Sequence, residues 1–79
     1  MTFDEIREQF EARPFTPFRV ITSDGSDYEV RHPEMGWLTR SSLLVGLEER
    51  DRYPARYKIV SLLHVTTLEP LPQGDTAPG

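Results

Sequence analysis

Phe18-Arg19-Val20-Ile21-Thr22-Ser23-Asp24-Gly25-Ser26-Asp27-Tyr28-Glu29-Val30 is the stretch on which the fold of this chain turns. Phe18, Val20 and Thr22 alternate with Arg19 and Ile21, a period of two that gives a pleated strand one mainly apolar face. Ser23 to Ser26 supply turn chemistry. Asp24-Gly25 between alternating runs predicts a hairpin, because glycine takes a positive φ without a Cβ penalty. Tyr28 and Val30 then alternate with Asp27, Glu29 and Arg31 as the returning strand.

On the N-terminal side, Arg13 to Phe18 carries Pro14 and Pro17, which force an extended connector with Phe15 and Phe18 flanking the second proline. A proline-rich ligand motif is the sharper reading of this segment, but one P-x-x-P match in 79 residues is weak support for it. Before it, Thr2 and Glu5 form a T-x-x-E capping box, with Asp4 and Glu5 at the end of the helix that favours negative charge. Phe3, Ile6 and Phe10 recur at helical spacing while Glu8, Gln9 and Glu11 face water. Pro14 biases Arg13 away from the helical region, so the predicted helix stops near Ala12 or Arg13. With three large apolar residues it needs something to pack on. The connector is therefore read as the hinge that folds the helix over the strands.

On the C-terminal side, His32-Pro33-Glu34 ends the second strand, since proline cannot donate to a ladder. Trp37 to Thr39 reads as a strand, Arg40-Ser41-Ser42 as a turn and Leu43 to Leu47 as a further strand, with one bent strand through Arg40 as the alternative. Glu48 to Pro54 reads as a charged loop. Tyr57 to Val60 is a strand, Ser61 to Leu63 one tight turn, and Val65 to Leu68 a final strand with threonines suited to a pleated surface. Residues 71–79 form a proline- and glycine-rich tail expected to be disordered. The predicted class is mainly β (α+β): one domain over residues 1–70, with an N-terminal helix and then a five-stranded, strongly bent antiparallel sheet or small barrel in which Trp37 to Leu47 counts as one bent strand.

Composition narrows the functional classes. A chain this short has a thin core, and small domains often gain stability by oligomerising. The absence of cysteine excludes disulfides, thiolate zinc sites and thiol nucleophiles. Net charge is -4, and eight of the nine basic residues are arginines. An acidic protein repels phosphate backbones unless it carries a local basic face. No apolar run is long enough to span a membrane, and the first residues lack the pattern of a signal peptide, so the expected location is cytoplasmic.

Two groups of side chains are candidate sites. His32, Glu34 and His64 are the residue types of a two-histidine, one-carboxylate metal site. That reading needs distant segments to converge, and Pro33 disturbs the alternation, so His32 reads first as a turn residue. No serine or threonine is tied to either histidine by sequence, and no catalytic, cofactor or metal site is assigned. The other group is Trp37, Arg40, Arg52, Tyr53, Arg56 and Tyr57, joined in the sequence by Arg50. Aromatics interleaved with arginines suit a protein interface, where Trp, Tyr and Arg are enriched. They also suit base stacking, but Glu48, Glu49 and Asp51 cancel most of the local positive charge.

The order of elements resembles small barrels of the SH3 and Sm type over residues 2–69, with Ser61 to Leu63 similar to the short turn before the last strand of Sm-like proteins. The chain also resembles a group of small uncharacterised bacterial proteins that share A-R-P-F-x-P-F, a D-G hairpin and V-x-H-P-E. Here these are Ala12, Arg13, Pro14, Phe15, Pro17 and Phe18, then Asp24 and Gly25, then Val30, His32, Pro33 and Glu34. The expected function is therefore non-catalytic: protein–protein contact or self-association into a homo-oligomer. An Sm-like ring binding single-stranded RNA is the alternative that the resemblance implies.

Overall fold

The computed structural model describes residues 1–51 and 53–72. Thr2 and Glu5 form the reciprocal capping box: the Glu5 N–H donates to Thr2 Oγ1 at 3.2 Å and the Thr2 N–H to Glu5 Oε1 at 2.9 Å. They start helix α1 (Phe3–Glu11), which ends at Ala12 in extended backbone just ahead of Pro14. Ile6 is fully buried, with Phe3 and Phe10 packed beside it against the core. The Phe10 ring meets the edge of Phe18 at 5.4 Å between centroids and 85° between planes, an arrangement that aromatic quadrupoles favour. Phe18 has no exposed surface. Burying a side chain of this size stabilises by about 1.5–3 kcal/mol, so this one residue ties helix, connector and sheet together.

Strand β1 (Phe18–Thr22) pairs with β2 (Asp27–Val30) through the predicted hairpin, in the register Phe18↔Val30 and Val20↔Tyr28. Gly25 takes φ 89° in the turn, as its lack of a Cβ permits. A 3-10 turn, Pro33–Met35, leads to β3 (Gly36–Leu38), followed by β4 (Ser42–Arg50) and β5 (Tyr53–Ser61). A second 3-10 turn, Leu62–His64, is capped by the Ser61 hydroxyl accepting from the Leu63 N–H at 3.3 Å. It feeds β6 (Val65–Pro70), which returns to the free side of β1. The result is two three-stranded antiparallel sheets, ordered β2-β1-β6 and β3-β4-β5. Their inner rows bury Phe18, Val20 and Val30 from one sheet and Leu43, Val45 and Val60 from the other.

The mainly β architecture with one N-terminal helix matches the expectation from sequence; the strand count and closure do not. Six strands lie in two small sheets, not five strands in one sheet or closed barrel. The run from Trp37 to Leu47, counted as one bent strand in the five-strand expectation, is two: Thr39 to Ser41 turn the chain, and β3 and β4 pair antiparallel across that turn. The charged segment Glu48 to Pro54 is also not a loop. The β4–β5 ladder continues through Glu49↔Pro54 and Arg50↔Tyr53. Asp51 takes a left-handed φ of 54° at the hairpin tip, and Glu48, inside β4, takes one of 56°. Pro54 is tolerated because β5 is an edge strand, where a missing donor goes unnoticed. At the far end Leu71 is buried and its N–H donates to the Pro17 carbonyl at 2.9 Å. Residues 73–79, most of the tail expected to be disordered, lie outside the described residues.

Candidate functional site

The outer faces of the two sheets differ in kind. On β2-β1-β6, Glu29, Arg19 and Glu69 stand in one cross-strand row, since Arg19 is opposite both carboxylates. The Arg19 guanidinium bonds Glu29 at 3.2 Å and Glu69 at 3.0 Å, and Arg31 adds a second cation to Glu29 at 2.9 Å. These donors, Arg19 first, hold the Glu29 carboxyl below its usual range. That face is built for water.

On β3-β4-β5 the equivalent row is Trp37, Leu44 and Ile59, because Leu44 is opposite both neighbours. Tyr57, two residues along from Ile59, shares its face. Trp37 is 52% exposed, Tyr57 60% and Ile59 63%. Directly opposed side chains on a strand pair lie within contact distance, so the row is a continuous apolar strip. Tyr53, from the hairpin tip, joins it: Trp37, Tyr53, Pro54 and Glu34 line one shallow depression of about 240 Å³.

The aromatic half of the sequence-predicted cluster is thus brought to one side of the second sheet, and the arginine half is not. Arg40 lies over the Phe3 ring at 5.5 Å, on the helix side. Arg56 stands opposite Leu47, on the core-side row, and pairs with Glu48. Arg52 lies outside the described residues. Ile59 and Leu44 complete the strip, although neither belongs to the aromatic and arginine cluster of the sequence. Strand alternation from Val60 was the available signal, since a buried Val60 puts Ile59 outward.

The histidines do not converge. His32 borders a groove with Glu29, Arg31 and Met35, whereas His64 sits at the other 3-10 turn beside Ser23. Among the described residues no three His, Asp or Glu side chains come together as metal ligands. Ser23 Oγ and His64 Nδ1 lie 3.4 Å apart, but the adjacent carboxylate, Asp24, is bound by Thr22 and Ser26 and does not orient the imidazole. No helix among the described residues is long and apolar enough to cross a membrane. No protein-family model, curated protein or solved structure matches the chain.

Proposed function

We propose that this chain is a non-catalytic module that works by protein contact, and that its partner is a second copy of itself docked on the outer face of β3-β4-β5. The observation that carries this reading is the contrast between the faces. One sheet presents the Glu29–Arg19–Glu69 row to water; the other presents Trp37, Leu44 and Ile59. Copies of a chain with net charge -4 repel one another except where charge is missing, and the apolar row carries none. An apolar strip rimmed by polar residues is the signature of a contact surface. The small core adds a reason for a partner.

The test is mass by light scattering across a range of protein concentrations, for the natural chain, Ile59→Lys and Thr67→Lys. The natural chain and Thr67→Lys, which alters an exposed residue of the other sheet, assemble; Ile59→Lys does not. A natural chain that stays monomeric at every concentration refutes the proposal.

A second reading, an Sm-like ring that binds single-stranded RNA, draws support from the connection through Leu62–His64 into β6 and from the pairing of β6 with β1. It predicts affinity for short U-rich or A-rich oligomers that weakens as salt rises. Absence of binding at low salt removes it.

A further inference from the structure

We infer that the groove between the β1–β2 turn and the end of β5 binds a small hydroxy- or amino-carboxylate. The groove has a volume of about 300 Å³ and is lined by Ser23, Asp24, Tyr28, Lys58, Ser61 and His64, with Val60 beneath. That is the lower end of the size range of small-molecule sites. It lies where the two sheets part. Tyr28 comes from the inner row of the first sheet, opposite Val20, and Lys58 from the inner row of the second, opposite Val45. A lysine on a core-facing row has its stem against apolar surface and its ammonium at the opening.

The rim is fixed before any ligand arrives. The Ser23 N–H donates to the His64 carbonyl at 2.8 Å, and Ser23 Oγ lies 3.4 Å from His64 Nδ1, so turn and 3-10 segment are clamped together. In the tautomer where Ser23 donates to Nδ1, Nε2 carries the proton and is a donor. Asp24 accepts from the Thr22 hydroxyl and from the Ser26 N–H at 3.0 Å, which sets its position and keeps it ionised.

Charge selects the ligand. Among the described residues Arg7, Arg19, Arg31 and Arg56 are ion-paired, Arg13 donates to main-chain carbonyls, and Arg40 lies on Phe3. Lys58, the sole lysine of the chain, has no carboxylate partner among them. Its ammonium and the His64 N–H are therefore available to one anionic group. Asp24, on the same wall, repels a dianion and asks for an O–H or N–H donor. A single carboxylate with a neighbouring hydroxyl or ammonium meets both demands, and a short apolar body rests on Tyr28 and Val60. Ile59, of the contact row proposed above, also borders the groove; Lys58 lies on the opposite face of β5, so Lys58→Met alters the groove and leaves that row intact.

The test is protein-observed NMR titration of the full chain with lactate, serine, acetate and inorganic phosphate. Lactate or serine is expected to produce saturable shifts confined to Ser23, Asp24, Lys58 and His64, and to bind more tightly than acetate, which lacks the donor for Asp24. Lys58→Met, an exposed substitution whose amide spectrum should keep its dispersion, is expected to weaken binding about tenfold or more, the loss typical of a charged hydrogen bond. No saturable shift with any probe, unchanged affinity in Lys58→Met, or tighter binding of phosphate than of lactate and serine each overturns the assignment.

Discussion

Asp24 is held by donors on both sides, the Thr22 hydroxyl first and the Ser26 N–H second, and they lower its pKa from 3.8 to about 2. A carboxyl whose folded pKa is depressed contributes stability above its unfolded value and loses it as pH falls through the folded one. The stability difference between the natural chain and Asp24→Asn should therefore narrow as pH drops from 3.8 to about 2. Thermal melts across that window check it; a constant difference contradicts the assignment. This turn was legible in the sequence because all its chemistry is local. Gly46 is the opposite case. A Cβ there would lie 2.8 Å from Pro54 Cβ and 3.2 Å from the Met35 carbonyl oxygen, atoms brought by the hairpin tip and a 3-10 turn. Gly46→Ala should cost about 1–3 kcal/mol, as overpacking of a filled site does, read from denaturant midpoints. Nothing near Gly46 in the sequence announces that requirement, because the neighbours that impose it arrive from other elements.

Helix α1 repeats that lesson at the scale of elements. Its start is set by Thr2 and Glu5 alone, so the cap was readable, and Thr2→Ala should destabilise by about 1 kcal/mol in thermal or chemical unfolding. A change no larger than that of an exposed control such as Glu8→Ala would mean that the cap contributes nothing. Strands carry less local information. The Phe18–Thr22 alternation has the burial order expected of it, with Phe18, Val20 and Thr22 inward. The charges of Glu48 to Asp51 mask the continuation of β4 and β5, because Asp51, in left-handed backbone, lets a polar segment turn without breaking the ladder. Pro33 ends β2, as its missing donor predicts; that β3 then joins a different sheet depends on long-range pairing that no short window holds.

For the molecule as a whole, the two outer faces predict opposite responses to solvent. The Glu29–Arg19–Glu69 row is electrostatic and exposed, so salt screens it and little overall stability depends on it. The Trp37–Leu44–Ile59 row is apolar, and association through it should persist when salt is raised, because screening removes the repulsion between like-charged copies and leaves apolar burial intact. An RNA-binding ring responds in the other direction, since its nucleic-acid affinity falls steeply with salt. Assembly that binds the folded state also raises apparent stability by mass action. The melting temperature of the natural chain should therefore rise with protein concentration, at low and high salt alike, while that of Ile59→Lys should not depend on concentration. Replacing an exposed isoleucine on the surface of a monomer changes stability by only about 0.5 kcal/mol, so a concentration dependence that disappears with Ile59 is a property of the interface and not of the fold. A melting temperature independent of concentration in the natural chain would mean that the apolar row faces water, and the case for self-association through β3-β4-β5 would fall with it.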